Sequence, residues 1–118
     1  MSELLTCGEY QAIADKLSFA ATGFVDGAFR AAKGGETFES VNPATGKTLA
    51  SVAAYQAGDI DFAVRKAREA FDDGRWRCKA PAERKETLIQ LAKLMHRNRH
   101  ELAVLESLDS GKPIRDCE

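Results

Sequence analysis

The chain has 118 residues, of which 44% are hydrophobic and 30% are charged, so its composition is that of one small globular domain or part of a larger one. With 17 Lys and Arg against 18 Asp and Glu, the net charge of -1 produces no general attraction to polyanions or to acidic membrane surfaces. Neither nucleic acid nor a membrane is therefore an expected partner.

The first third of the chain is predicted to form a short helix and a hairpin. Apolar residues recur at helical spacing over residues 9–20, and Gly23 follows as a stop, which predicts a leading amphipathic helix. The Asp26-Gly27 pair then lies between two apolar segments. Because a two-residue hairpin turn needs positive φ, this pair predicts a β-hairpin.

A second hairpin is predicted between residues 37 and 53. Residues 37–41 are rich in β-branched and aromatic types, and residues 48–53 resume an alternating pattern. The turn at residues 42–47 reads Asn-Pro-Ala-Thr-Gly-Lys, in which the proline presets φ and the glycine tolerates a left-handed conformation.

The second half of the chain is predicted to be helical. Asp59 is expected to accept hydrogen bonds from the amides of a first helical turn, and that helix is expected to end at Gly74. Pro81 suits the first position of the next helix. The apolar positions of the two helices recur with helical period: Ile60, Ala63, Val64, Ala67, Ala70 and Phe71, then Leu88, Leu91, Ala92 and Met95.

A break is expected near residues 97–99. There Asn98, followed by Glu101 three residues later, has the form of a capping box that starts a further helix. Gly111 and Pro113 predict the end of that helix, because glycine adopts positive φ and proline cannot extend a helix.

This order of elements predicts an α+β fragment, two β-hairpins followed by amphipathic helices. The pattern contains no β-α-β alternation, so a complete doubly wound sheet cannot be assembled from it. The sequence also contains neither G-x-G-x-x-G nor a Walker loop, so no cradle for a nucleotide is evident. Two hairpins beside amphipathic helices leave strand edges and apolar faces uncovered, which indicates a piece of a larger fold.

The expected location is the cytoplasm. The apolar runs are far shorter than a membrane helix, and the first cation, Lys16, follows three carboxylates, unlike the order in a secretory signal. The cysteines are odd in number, widely spaced and without a C-x-x-C pair, so free thiols are expected at Cys7, Cys78 and Cys117.

Two side-chain patterns suggest chemistry only weakly. His96 and His100 lie four residues apart, a spacing that can hold a metal on one helical face, but two arginines lie between them and no carboxylate is placed as a general base. Cys78 lies among cations that favour its thiolate, but the local sequence offers neither a base nor oxyanion donors. A solvated helix end and an ordinary loop cysteine are the favoured interpretations.

Charge is unevenly distributed along the chain. Residues 65–100 hold 11 Lys and Arg against 5 Asp and Glu. Such a region can bind RNA, an acidic protein or a neighbouring subunit, but no recognition motif accompanies the charges. A solvated helical surface is the simpler interpretation.

Asp109 is unusual because a carboxylate in the last turn of a helix faces the negative end of the helix dipole. Some group is expected to compensate its charge. The Lys112 ammonium, the amides of Ser110 or Gly111, or a bound monovalent cation would each do so.

Six segments follow one another in an order that is typical of one enzyme family. They are Phe24–Phe29, Glu36–Phe38 with Val41–Lys47, Asp59–Val64 with Ala67–Phe71, Trp76–Arg77, Pro81–Arg84 and Leu102–Pro113. Together they closely resemble the N-terminal segment of the NAD(P)-dependent aldehyde dehydrogenase superfamily. The leading helix and the Gly-Lys-Pro-Ile ending at 111–114 resemble the branch that acts on γ-glutamyl-γ-aminobutyraldehyde and related aminoaldehydes.

The resemblance implies an oxidoreductase that converts an aldehyde to a carboxylic acid with NAD or NADP and that is a homo-oligomer when full length. The family's catalytic cysteine, its general base and its cofactor-binding strands all come later in the chain. No catalytic or cofactor-binding residue is therefore expected in these 118 residues. The implied organisation is a helical extension over residues 1–22 and an incomplete coenzyme domain over residues 23–118.

The resemblance also implies a binding site for a monovalent cation, K⁺ or Na⁺. In many members of the family, two backbone carbonyls before the Asn-Pro turn and the carboxylate before the final Gly-Lys hold this ion. The corresponding residues here are Ser40, Val41 and Asp109, with a further ligand expected beyond Glu118.

Two functional hypotheses result. The first is an inactive segment of an aldehyde dehydrogenase whose chemistry requires the remainder of the enzyme. The alternative is a non-catalytic binding module that uses the basic residues 65–100.

Overall fold

The computed structural model describes residues 4–118. The first three residues of the predicted extension lie outside this range. The elements, in chain order, are α1 (Cys7–Ala14), β1 (Gly23–Val25), β2 (Ala28–Arg30), β3 (Thr37–Val41), β4 (Thr48–Ala53), α2 (Ala57–Asp72), α3 (Pro81–Arg97), α4 (Arg99–Ser110) and a 3-10 turn (Ile114–Asp116). The predicted α+β order of two hairpins followed by helices is confirmed.

The chain divides into two compact units that are each built from separate segments. The first contains the chain up to Phe19 together with Glu39–Ala50 and Ala92–Glu118. The second contains Ala20–Phe38 and Ser51–Leu91. Each unit is described by itself below.

The leading helix is shorter than predicted and begins earlier. Its N-cap is Thr6, whose backbone amide donates to Glu9 Oε2 at 2.8 Å while the Thr6 hydroxyl accepts from the Glu9 amide at 3.4 Å. The helix ends at Ala14 rather than at residue 20, because the amides of Lys16 and Leu17 bond carbonyls three residues back in a tightened last turn.

The first hairpin, in the second unit, forms as predicted. β1 and β2 pair antiparallel, with Phe24 opposite Phe29. Asp26 and Gly27 both have positive φ, at 53° and 75°, which is the type I′ geometry that a two-residue loop requires. The paired phenylalanine rings meet edge to face with centroids 5.2 Å apart.

The second hairpin also has the predicted strands, β3 and β4, which form a separate two-stranded sheet. Its turn is organised by Asn42, which is buried. The Asn42 amide donates to the Lys47 carbonyl at 2.9 Å, and its side-chain oxygen accepts from the Ala44 amide at 2.8 Å. Gly46 occupies the left-handed position with φ of 69°.

The helices of the second half differ from prediction mainly in their caps. α2 begins two residues before Asp59, which lies in its first turn and accepts from the amide of the N-cap residue Gln56 at 3.2 Å. The predicted break occurs at Asn98, but the capping box is wrong because the Asn98 side chain donates back to the Leu94 carbonyl at 3.0 Å. Gly111 closes α4 with φ of 74°, as predicted.

Little apolar surface is buried within residues 4–118. The buried hydrophobic residues are Tyr10, Ala103 and Val104 in the first unit and Ala32 and Ala53 in the second, and no large side chain in the described range is fully buried. The exposed large apolar residues of α2 and α3 are Ile60, Val64, Phe71, Leu88, Ile89, Leu91, Leu94 and Met95. The amphipathic faces therefore exist but have no partner within this segment.

None of the helices in residues 4–118 combines the length and apolar character needed to cross a bilayer.

Candidate functional site

The first unit brings together the end of β3 and the last turn of α4. Ser40, one residue before the end of β3, donates its hydroxyl hydrogen to Asp109 Oδ1 at 2.9 Å. These two residues are 69 positions apart in the chain. Two of the three residues predicted to hold a cation are thus in direct contact, and the third, Val41, follows Ser40 in the strand.

The turn after β3 packs closely against the end of α4. A Cβ atom added to Gly111 would lie 2.9 Å from Pro43 Cγ, which is shorter than a normal van der Waals contact. Glycine at position 111 therefore meets two requirements: it adopts a positive φ, and it lets the end of α4 lie close to Pro43. The Ser40 hydroxyl bonds Asp109 at the same end of α4.

Asp109 is bonded by a protein group that was not among those predicted. Lys112 does not contact it, because the Lys112 ammonium donates to Glu106 Oε1 at 2.9 Å. The Gly111 amide caps the helix by donating to the Ser107 carbonyl at 3.0 Å. Among the ion pairs of residues 4–118 none includes Asp109, and the Ser40 hydroxyl is its hydrogen-bond partner.

The donors at this position suit a hard monovalent cation. The predicted donors are the Asp109 carboxylate and the carbonyl oxygens of Ser40 and Val41, and the structure brings the Asp109 carboxylate and the Ser40 hydroxyl together. Oxygen donors of this kind bind alkali and alkaline-earth ions, whereas softer metals prefer nitrogen and sulfur. Within the part of the chain that the structure describes, no three His, Cys, Asp or Glu side chains cluster as a metal site.

The first unit also contains a polar cluster around Glu118 that the sequence did not predict. The Glu118 side chain is only 4% exposed. Its Oε1 accepts from the Tyr10 hydroxyl at 3.0 Å and contacts His100 Nδ1, and its Oε2 lies 3.8 Å from Arg99 Nε. The cluster connects α1 to α4 and to the segment after it.

Burial alone would raise the pKa of the Glu118 carboxyl, but the hydrogen bonds from His100 and Tyr10 and the charges of His100 and Arg99 outweigh it, so the pKa is lowered. A carboxyl whose pKa is lower in the folded state stabilises the fold above its ordinary pKa, and this contribution is lost as the pH falls.

We therefore expect the full-length protein to lose unfolding free energy as the pH falls below 4.5, the ordinary pKa of Glu. E118Q should show a smaller loss over the same interval, measured by denaturant unfolding at a series of pH values. Replacing the exposed Glu86, which is outside the cluster, by Gln should leave the slope unchanged. Equal slopes for E118Q and the parent would contradict the role of the cluster.

The paired histidines do not share a helix. α3 ends at Arg97 and α4 begins at Arg99, so His96 and His100 lie on different helices rather than on one face. The His100 ring contacts Glu118, and its centroid lies 6.3 Å from that of Tyr10. The break at Asn98 is the physical reason why the i, i+4 spacing does not become a shared face.

All three cysteines are free thiols, as expected. Cys78 is exposed, and its sulfur lies so close to Gly74 that an added Cβ there would be 2.6 Å away. The Cys117 thiol has a raised pKa, because partial burial and the nearby Glu106 carboxylate disfavour its thiolate. Among the hydrogen bonds of residues 4–118, none joins either thiol to a His, Asp or Glu side chain.

Comparison with known proteins decides between the two functional hypotheses. A family model described as "Aldehyde dehydrogenase family" matches residues 29–118. The chain belongs to the aldehyde dehydrogenase family. The structure and the family match together confirm that it is the N-terminal part of such an enzyme.

Individual aldehyde dehydrogenases match over nearly the whole chain. Aminoacetaldehyde dehydrogenase of Pseudomonas aeruginosa is 58% identical over 118 residues, which are 100% of this chain and 24% of that protein. The P. syringae indole-3-acetaldehyde dehydrogenase AldA, solved with NAD+ and IAA, has a TM-score of 0.92 and 45% identity over 97% of this chain and 23% of its own. The γ-glutamyl-γ-aminobutyraldehyde dehydrogenase of Burkholderia cenocepacia has a TM-score of 0.92 and 44% identity over 96% of this chain and 23% of its own.

The chain thus spans about a quarter of the length of these aldehyde dehydrogenases. The similarity to aldehyde dehydrogenases includes residues 65–100. The comparisons therefore do not support a separate binding module built on those residues. The exposed apolar faces of α2 and α3 are also typical of a segment of a larger enzyme, because such faces are normally covered by other parts of the fold.

Proposed function

We propose that the protein containing this chain oxidises an aldehyde to a carboxylic acid with NAD or NADP as hydride acceptor. The observation that carries the proposal is the 58% identity to aminoacetaldehyde dehydrogenase, which extends over every residue of the chain. Support for NAD comes from the solved AldA complex, which contains NAD+.

The proposed substrate class is an aldehyde with an amino or amide nitrogen in its chain. Two similar proteins carry such substrates in their names, aminoacetaldehyde and γ-glutamyl-γ-aminobutyraldehyde. Resemblance of the leading segment and of the ending at residues 111–114 points to the same branch. We place the helical extension at residues 1–22 and the incomplete coenzyme domain at residues 23–118.

This segment has a structural role in the proposed reaction. It contains no glycine-rich dinucleotide motif, and the local sequence around its exposed Cys78 offers no base. The residues present therefore do not fit a nicotinamide cofactor or a reacting aldehyde. Their contribution is the packing of hairpins and amphipathic helices against the remainder of the enzyme.

The full-length enzyme with NAD+ is expected to oxidise aminoacetaldehyde with a kcat/KM about tenfold or more above that for acetaldehyde, because a site that binds the amine loses a contact with the analogue. Acetaldehyde is the matched control, since it lacks only the amino group. The isolated 118-residue chain should show no turnover. Absence of NADH formation by the full-length enzyme with either aldehyde would refute the proposed activity.

We further propose that Asp109 and the carbonyl oxygens of Ser40 and Val41 bind K⁺ or Na⁺. The Ser40–Asp109 hydrogen bond of 2.9 Å supports this, because it brings the oxygen donors of β3 and α4 together. A bound cation would offset the unfavourable position of Asp109 at the negative end of the α4 dipole.

D109N is expected to abolish the cation dependence of stability. At a K⁺ concentration about ten times its Kd, binding should stabilise the parent by about 1.4 kcal/mol. The measurement is the thermal midpoint of the full-length enzyme in KCl and in choline chloride at equal ionic strength. The exposed Asp61 offers a control, because D61N removes the same charge elsewhere. A K⁺ effect that persists in D109N would refute the site.

We infer a cytoplasmic enzyme that assembles as a homo-oligomer and has neither nucleic acid nor a membrane as a partner. Its near-neutral charge balance supports the last two points.

A further inference from the structure

The leading helix α1 packs on α4 within the first unit. Tyr10 is the buried residue of α1, and the two buried residues of α4 are Ala103 and Val104. The Tyr10 ring also meets the ring of His100, in α4, edge to face. The attachment of α1 to α4 is therefore made by residues that the structure describes.

The segment after α4, residues 111–118, is tied to that helix at its beginning. The Gly111 amide donates to the Ser107 carbonyl at 3.0 Å, and the Ser107 hydroxyl donates to the Lys112 carbonyl at 2.8 Å. The Lys112 ammonium donates to Glu106 at 2.9 Å. All three contacts involve only the first two residues of the segment.

The far end of the segment, residues 113–118, is held by one side chain. Among the described residues, Glu118 is the one member of this end whose side chain bonds α1 or α4, since its other polar contacts lie within the segment. The nearly buried Glu118 carboxylate accepts from the Tyr10 hydroxyl of α1 at 3.0 Å. It also contacts His100 and lies 3.8 Å from Arg99 Nε, both at the start of α4.

The Tyr10 hydroxyl is the group that joins α1 to this end of the segment. It accepts from the Leu5 amide at 3.2 Å while it donates to Glu118. A hydrogen bond to a charged group contributes more than one between neutral groups, and a buried carboxylate that loses a donor is left partly unsatisfied. The loss of this single hydroxyl should therefore loosen both α1 and the end of the segment.

We propose that α1 is a strap that fastens residues 113–118 to α4, with Tyr10 as its positioning residue. When the strap is closed, both helices bond the Glu118 carboxylate. When it opens, α1 and residues 113–118 are released together as one local unfolding unit. Because the chain is the N-terminal part of a longer enzyme, the closed strap sets the position from which the chain continues into the remainder.

The proposal is tested by hydrogen exchange of the full-length enzyme, followed by mass spectrometry. Y10F removes only the hydroxyl, and we expect the amides of residues 7–14 and of residues 113–118 to exchange about tenfold faster than in the parent. Y55F is the matched control, because the Tyr55 hydroxyl bonds the Gly23 amide and the Arg30 carbonyl in the second unit. Its effect should be confined to the first hairpin.

A double variant separates the strap from a local effect on α1. Y10F also removes the bond from the Leu5 amide, which loosens α1 by itself. If the strap acts through Glu118, E118A should speed the exchange of both segments, and adding Y10F to E118A should change the rates of residues 113–118 by less than about twofold. Unchanged exchange of α2 would show that the variants remain folded. Faster exchange in Y10F that is confined to residues 7–14, or effects on residues 113–118 that multiply in the double variant, would overturn the proposal.

Discussion

The isolated 118-residue chain is expected to unfold over a broad temperature range, or to self-associate, rather than to melt sharply as a monomer. Its large apolar side chains are mostly exposed, as at Phe71 (55%), Leu88 (57%) and Met95 (55%). Cooperative melting of a small domain requires a core of such residues, and exposed apolar patches of this extent promote association.

Differential scanning calorimetry together with sedimentation velocity would measure this behaviour. The full-length enzyme is the control, because the same helix faces are expected to be covered there. A monomer of the isolated chain with one sharp transition, and equal calorimetric and van't Hoff enthalpies, would show that the segment contains a sufficient core.

G111A is expected to destabilise the full-length enzyme by about 2–4 kcal/mol. Alanine at this position has to adopt a φ of 74°, which costs about 1 kcal/mol, and its Cβ would lie 2.9 Å from Pro43 Cγ. Relieving that contact requires movement of the turn or of the α4 terminus, at a further cost of about 1–3 kcal/mol.

Gly46 provides a matched comparison for this substitution. It has nearly the same φ, 69°, but a Cβ there would meet no atom within 4 Å. G46A should therefore show only the conformational cost of about 1 kcal/mol. The difference between the thermal midpoints of the two variants reports the cost of the contact between residue 111 and Pro43. Equal midpoints would mean that this contact is not tight.

Local signals made most of the fold predictable from sequence. The Asp26-Gly27 turn was predicted because few residue pairs accept two consecutive positive φ angles, and the structure has 53° and 75° there. Gly74 and Gly111 marked helix ends for the same reason, and both have positive φ. Such positions are determined by neighbouring residues and need no tertiary information.

Caps were less predictable because several polar residues compete for each helix end. Thr6 and Glu9 form a capping box whose pattern is present in the sequence, so the start of α1 could have been found. Asn98 and Glu101 show a similar pattern, but the Asn98 side chain bonds the preceding helix instead. The pattern alone does not decide which backbone group a short polar side chain will bond.

The candidate site depends on contacts that periodicity and spacing cannot supply. The helix dipole singled out Asp109 as needing compensation, and the family resemblance added Ser40 and Val41. That a hydroxyl 69 residues away, rather than Lys112, would bond Asp109 is a result of tertiary packing. The hydrogen bond between Tyr10 and Glu118 also depends on tertiary packing, so no local sequence pattern predicted it.

The bond between the Tyr10 hydroxyl and Glu118 joins residues 108 positions apart, the most distant side-chain pair of the described chain. Closing so long a loop is entropically costly, so we expect this contact to form after the intervening elements have folded. We therefore expect α1 to attach to an existing scaffold rather than to nucleate folding. Its amides should exchange with solvent before those of α4, which makes the leading helix the first element to detach under stress.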